Sequence, residues 1–175
     1  RYVGPELSRV FVMDANGANV TEVAPLFGSG AHALSRSAFW TADSSALVLI
    51  RQRNILPMSA AFDVGAWTPD GGAHFYGQDD ALPATEAAAQ PGGGDRFAFV
   101  QAGRLFFARA NETTATPVTP TTEFVKAIAW SPDGQRLGFI TAPDATARSR
   151  PLSAAIRTIG SAGSAGGALG PMPPT

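Results

Sequence analysis

Cysteine is absent from the 175 residues. Disulfides, thiolate metal sites, thiol nucleophiles and a lipidated amino-terminal cysteine are therefore excluded, although the redox compartment is not fixed. Lysine is nearly absent: Lys126 is the only one, and charged side chains make 15% of the chain, against roughly 25% in an average soluble domain. Thirteen basic and fourteen acidic side chains leave a net charge of −1. No basic stripe exists to meet phosphates, so nucleic acid is not expected as a partner. Long apolar runs are missing too. The longest, near residues 46–50, falls far short of the roughly 20 residues of a membrane helix, so no transmembrane segment is expected. A convincing 3.6-residue period is also lacking. The nearest helix candidate, residues 81–90, is Ala-rich, carries Pro83 and has little to bury, so it reads as loop or at most one helical turn.

What is present is the material of a β protein. Hydrophobic residues make 45% of the chain, enough for one domain with a core, and 19 Gly with 14 Pro make it rich in turns. Short runs of Val, Ile, Phe, Leu and Trp alternate with Asp-Gly, Asn-Gly, Gly-Gly and Pro. That punctuation predicts strands near residues 9–14, 19–24, 37–40, 45–52, 73–77, 96–101, 104–108 and 124–130. Beyond residue 142 the texture changes. Residues 151–157 are compatible with a short helix, and 161–175 are Gly, Ala, Ser and Pro with almost no core material. A domain over residues 1–142 and an irregular, extended Gly/Ala/Pro-rich tail over 143–175 are expected. Such a tail cannot meet an ordering cost of roughly 1–2 kcal/mol per residue from its own contacts, which points to an external partner.

The chain repeats itself. The sharpest unit is Ala127-Ile128-Ala129-Trp130-Ser131-Pro132-Asp133-Gly134-Gln135-Arg136-Leu137-Gly138-Phe139-Ile140. Partial copies stand at Ala66-Trp67-Thr68-Pro69-Asp70-Gly71-Gly72 and Phe39-Trp40-Thr41-Ala42-Asp43-Ser44-Ser45. A worn copy begins at Gln90 and aligns Arg96 with Arg136 and Phe99 with Phe139. A second family pairs Arg9-Val10-Phe11-Val12 with Arg104-Leu105-Phe106-Phe107, each followed by a polar turn and a Thr/Val-rich strand. Each Trp unit reads as a strand, a reversal and a second strand. Pro presets φ, Asp accepts hydrogen bonds from the turn's own amides, Gly supplies positive φ, and Trp offers a flat surface to a neighbouring sheet. A period near 40 residues is the size of one four-stranded propeller blade.

Trp130-Ser131-Pro132-Asp133-Gly134-Gln135-Arg136-Leu137-Gly138-Phe139 resembles the repeat of TolB-type (WD40-like) β-propellers, and residues 10–17 resemble the inner hairpin of such a blade. The resemblance covers about residues 8–142. It implies an all-β, propeller-like array of small antiparallel sheets, three to four degenerate blades in this length. Trp40, Asp43, Trp67, Pro69, Asp70, Gly71, Trp130, Pro132, Asp133 and Gly134 would be its structural motif. Trp40 to Trp67 spans 27 residues and Trp67 to Gln90 spans 23, each too short for a full blade, so the array is shortened or irregular. An open arc would leave apolar end faces for a partner or the tail to cover.

Chemistry is sparse. His32 and His74 lack ligand-spaced neighbours and read as loop or strand-edge residues; Asp79 and Asp80, with Asp70 nearby, read as solvated turn carboxylates in the absence of a calcium-loop pattern. Ser164 follows no strand and is no nucleophile elbow. Gly92-Gly93-Gly94 lacks the Lys and Ser/Thr of a phosphate loop. Sequons at Asn19 and Asn111 matter only in a secretory setting. No catalytic residue, cofactor or metal is therefore assigned. Arg148, Arg150 and Arg157 form a modest basic patch for an acidic partner surface or lipid headgroups.

The expected function is non-catalytic: a protein-interaction or scaffolding subunit of a larger assembly, binding other subunits through loops and the 143–175 tail, with peripheral membrane contact. The resemblance implies an extracytoplasmic, periplasmic setting, and Arg1 in place of Met fits a chain trimmed of a leader or taken from a longer one. The alternative is a small propeller hydrolase or lyase, or a fragment of a propeller-bearing peptidase. That requires two or more of His32, His74, Asp70, Asp79 and Asp80 to converge within about 10 Å.

Overall fold

The computed structural model describes residues 10–23, 34–55, 59–70, 72–76, 84–119, 124–142 and 155–160; within strands, the side chains of 34–37, 51–55, 59–62, 155–157 and 160 are not described. Every regular element among them is a β-strand, and every strand pairing is antiparallel. β1 (Phe11–Val12) and β2 (Thr21–Glu22) form a hairpin. β3 (Leu34–Trp40), β4 (Leu47–Ile55), β5 (Ser59–Thr68) and β6 (Gly72–Tyr76) form a first meander sheet in chain order. β7 (Ala84–Ala89), β8 (Arg96–Gln101), β9 (Arg104–Arg109) and β10 (Ala115–Pro117) form a second. β11 (Phe124–Trp130), β12 (Arg136–Ala142) and β13 (Ala155–Gly160) form a third. None of these sheets closes into a barrel.

The sheets pack face to face in series, with a separate apolar layer at each junction. Between hairpin and first sheet, Val10, Val12 and Val23 meet Leu47, Leu49, Trp67 and Phe75. Between first and second lie Val48, Ile50, Val64, Ala66 and Tyr76 against Phe97, Phe99 and Phe106. Between second and third lie Ala98, Val100, Leu105 and Phe107 against Val125, Ile128, Trp130, Leu137, Phe139 and Ile159. Side chains alternate between faces along a strand, so a strand with core on both sides must be apolar at successive positions. That is why residues 46–50 and 97–100 are unbroken apolar runs: Leu47 and Leu49 serve one layer, Val48 and Ile50 the next.

The first strand of each sheet carries a β-bulge at the same place. The extra residues are Arg36, Thr85 and Lys126, each four places before the strand's last residue, Trp40, Ala89 or Trp130. A bulge shifts the alternation by one. Ala84 and Ala87 therefore enter the same layer although three apart, as do Val125 and Ile128.

Two expectations are corrected. Residues 84–89, read as loop or a helical turn, are a strand. It pairs along β8 from Ala84↔Gln101 to Ala89↔Phe97 and lies against β3, β4, β5 and β11, so main-chain pairing and neighbouring sheets, not the burial of its own small side chains, make it a strand. Residues 151–157 are not a helix where described: Ala155–Gly160 pairs along β12 from Thr141↔Ala155 to Arg136↔Gly160, so the β region passes residue 142 and Ile159 joins the core. Main-chain pairing to an existing edge orders a segment whose own composition offers little. Residues 161–175 lie outside the described residues.

Candidate interaction surface

The best-defined local structure is the reversal between the first two strands of each sheet. In the first, the Thr41 amide donates to the Ala46 carbonyl at 2.9 Å and the Ser44 amide to the Thr41 carbonyl at 2.9 Å. In the third, the Ser131 amide donates to the Arg136 carbonyl at 2.8 Å and the Gly134 amide to that of Ser131 at 2.9 Å. Ser44 and Gly134, the fourth residues, take positive φ of 59° and 66°. Asp43 Oδ1 accepts from the Ser45 amide at 3.0 Å, and Asp133 Oδ1 from the Gln135 amide at 3.0 Å. The Ser45 hydroxyl, and after it the Ser45 amide, hold the Asp43 carboxyl below the ordinary carboxylate range; the Ser131 hydroxyl and then the Gln135 amide do the same for Asp133. Both carboxylates thus serve their own turns.

The middle reversal is one residue longer and built on Gln90, whose amide donates to the Arg96 carbonyl at 3.1 Å. It ties the three together. The Asp43 amide donates to the Gly94 carbonyl at 3.3 Å, and Gln90 Nε2 donates to the Gly134 carbonyl at 2.7 Å. Gly134 lies so close to the Pro91 carbonyl that a Cβ there would collide with it. The reversals therefore stand in a row, presenting Ala42, Asp43, Gly92, Pro132 and Asp133 to solvent.

Trp130 behaves as its flat ring suggests, stacking on Phe107 (centroids 5.6 Å apart, planes at 20°) and donating its indole N–H to the Ala88 carbonyl at 3.2 Å. Trp40 holds the equivalent position but is 42% exposed. Trp67 is buried, but in a different role. Trp67, Pro69 and Asp70 belong to the β5–β6 reversal, the last of the first sheet, with Pro69 and Asp70 exposed and Gly71 outside the described residues. The short spacings on either side of Trp67 follow: a similar run of residues stands at a non-equivalent reversal. Arg96 and Arg136, by contrast, occupy equivalent positions.

Sequence reasoning passed over a polar seam between the first and second sheets. Tyr76 donates its hydroxyl to the Arg109 carbonyl at 2.6 Å, and His74 Nε2 lies 2.7 Å from that hydroxyl. Since the tyrosine proton is committed to a carbonyl, Nε2 carries the hydrogen in this contact. Arg109 pairs with Asp95 at 2.8 Å. Burial, then the charges of Asp95 and Glu112, raise the Tyr76 phenol well above its ordinary value, so it stays a donor. No local motif signals this link, because its ends are 33 residues apart in the chain.

His74 is thus a strand residue bonded to Tyr76, and Asp70 a turn residue; His32, Asp79, Asp80, Arg148 and Arg150 lie outside the described residues, as does the Arg157 side chain, whose backbone pairs opposite Phe139. Among the described residues no three of His, Asp and Glu come together to hold a metal ion, and no helix is long and apolar enough to cross a membrane. Neither a model of a known protein family nor a curated protein matches the chain.

Proposed function

We propose that this chain is a propeller-like, TolB-type module with a non-catalytic role, a scaffolding or accessory subunit that binds protein partners of an extracytoplasmic, periplasmic assembly, with peripheral membrane contact. The observation that carries the reading is the repetition: three successive sheets with the same bulge, and with reversals at the same place, the middle one a residue longer, hydrogen-bonded in a row. Such an array has apolar layers between its sheets and loops along its rim, and loops carried on packed scaffolds are where binding residues accumulate. The two exposed carboxylates of the row, Asp43 and Asp133, are engaged in turn architecture, which favours holding over reacting. The rim and the 143–175 segment, with Arg148, Arg150 and Arg157, would form the binding surface.

Affinity capture from an envelope extract tests this, comparing the full chain with one truncated after residue 160 and with one whose rim residues Ala42, Pro132 and Asp133 are replaced. Capture of a defined set of envelope proteins by the full chain, weakened in either variant, is expected. Equal capture by all three, or turnover of a substrate by the purified chain, overturns the reading.

A further inference from the structure

The turn of the β1–β2 hairpin has a counterpart between β9 and β10. The register Phe11↔Glu22 and Val12↔Thr21 becomes Phe106↔Pro117 and Phe107↔Thr116 on adding 95 to each number. The bond inside each turn obeys the same shift: Gly17 amide to Asp14 carbonyl at 2.8 Å, Glu112 amide to Arg109 carbonyl at 3.1 Å. Each turn therefore places an asparagine, Asn16 or Asn111, just before the residue whose amide makes that bond. The residues that follow differ. Asn16 precedes Gly17, whereas Asn111 precedes Glu112, and the other two asparagines of the chain, Asn19 and Asn54, precede Val20 and Ile55.

Asn16 is placed to react with its own backbone. The nitrogen of Gly17 can attack the Asn16 side-chain carbon Cγ and close a succinimide ring. A Cβ on the following residue crowds that nitrogen; Gly17 has none, and nothing lies within 4 Å of where one would stand. Residues 13–20 are exposed, so water and hydroxide reach the site. The Ala18 amide donates to Asn16 Oδ1 at 2.9 Å. That bond folds the side-chain amide back along the Asn16-Gly17 peptide, and it aims a donor at the oxygen on which negative charge gathers as Cγ becomes tetrahedral. Another contact works the other way. The proton that must leave the Gly17 nitrogen is held on the Asp14 carbonyl, and the Asp14 amide closes the turn onto the Ala18 carbonyl at 2.9 Å. Asn19 Nδ2, donating to Asp14 Oδ2 at 2.6 Å, braces the same turn. Attack therefore waits for the bond between Gly17 and Asp14 to open.

We propose that Asn16-Gly17 is a site of spontaneous modification, gated by the opening of this turn, at which Asn16 becomes aspartate or isoaspartate. Water and hydroxide are the only co-reactants. The Gly17 nitrogen gives its proton to hydroxide and bonds to Asn16 Cγ; the bond from Cγ to Nδ2 breaks, and that nitrogen leaves as ammonia. Water then adds to one of the two ring carbonyls. Cleavage between Cγ and the ring nitrogen gives aspartate, and cleavage between the main-chain carbonyl carbon and that nitrogen gives isoaspartate. Aspartate keeps an oxygen for the Ala18 amide. Isoaspartate routes the main chain through an extra methylene, so the Gly17 amide no longer meets the Asp14 carbonyl. Val10, Val12 and Val23 hold the hairpin against Leu47, Leu49 and Trp67, and isoaspartate at its turn loosens that layer. The site is distinct from the rim and from residues 143–175, so it stands or falls separately from the capture experiment above.

The full chain is incubated at mildly alkaline pH, with each asparagine followed by peptide mass spectrometry and isoaspartate by enzymatic methylation. Asn16 is expected to convert well ahead of Asn19, Asn54 and Asn111. Unfolding the chain in guanidinium should speed conversion at Asn16 by roughly tenfold or more, because the turn no longer has to open. Hydrogen exchange at the Gly17 amide needs the same opening and the same proton removal, so its protection factor should match that slowing. Asn16→Gln should abolish conversion at residue 16 and leave the chain folded, since the position is exposed. Glu112→Gly should add a second reacting site at Asn111. In the separated isoaspartate product, the Val23 amide, which donates to the Val10 carbonyl at 2.9 Å, should exchange faster than in the parent chain. Conversion at Asn16 no faster than at Asn111 in the folded chain overturns the proposal. Equal rates in the folded and unfolded chain while the Gly17 amide is protected overturn the gating, and unchanged Val23 exchange in the isoaspartate product overturns the loosening.

Discussion

At the scale of single residues, backbone conformation and a few buried polar contacts decide most. Ala102 and Gly103 form the two-residue connection between β8 and β9, both with positive φ, 55° and 72°. A left-handed alanine costs about 1–2 kcal/mol, whereas Asn tolerates that region and Asn-Gly suits such a turn. Ala102→Asn should therefore raise stability by about 0.5–1 kcal/mol, read as a higher urea midpoint with an unchanged slope. Tyr76→Phe should cost about 0.5–1.5 kcal/mol, because it removes the phenol donor across the seam and leaves the Arg109 carbonyl only the Glu112 amide at 3.1 Å. Asp43 and Asp133 have folded-state pKa values below the ordinary carboxylate value of 3.8. Their contribution is complete above the unfolded carboxylate pKa and is lost as pH falls through the lower folded value. The Ser45 and Gln135 amide resonances should accordingly hold their positions down to about pH 4 and titrate below it. Midpoints above about pH 4 would show that the two carboxylates do not hold their turns.

Two of the contacts that join elements, a stacked ring and a close backbone approach, can be separated by substitution. Trp130→Ala removes a ring packed on Phe107 and an indole bond to β7, and should cost about 3 kcal/mol. Trp40→Ala, at the equivalent place but without that cover, should stay within about 0.5–1 kcal/mol. Equal losses would mean that the two positions are not equivalent. Gly134 and Gly17 both have positive φ, but only Gly134 faces a neighbour, the Pro91 carbonyl. Gly17→Ala should then cost about 1 kcal/mol of local strain, and Gly134→Ala several-fold more because the two reversals must part. Denaturation midpoints of the pair isolate the contact between sheets.

For the whole molecule, stability is a sum over layers, each needing the sheets on both sides. β13 closes the last layer through Ile159. Truncation after Ala142 should lower the thermal midpoint and expose the layer of Leu137 and Phe139 to a hydrophobic dye. A midpoint equal to that of the full chain would show β13 to be dispensable. The serial arrangement also explains why both ends carry uncovered apolar side chains, Phe11 and Met13 at one and Ile140 at the other.

The sequence by itself determined that the chain is built of strands, and it located many of them, because apolar alternation and turn residues are local signals. Arg96–Gln101 and Phe124–Trp130 were legible to the residue. It also determined the reversals at Trp40, Gln90 and Trp130, and the match of β1 to β9, since a turn needs particular side chains within a few positions of one another. Only tertiary structure decided that Trp67 occupies a different reversal, that the alanines of β7 are a strand, and that residues 155–160 pair with β12. In each case the energy comes from partners outside any local window: neighbouring sheets packed on the strand, or an open edge whose backbone groups need hydrogen bonds. The bulges at Arg36, Thr85 and Lys126 fall on three different residue types and were invisible for the same reason. They are set by the fit between sheets, which no short window of residues contains.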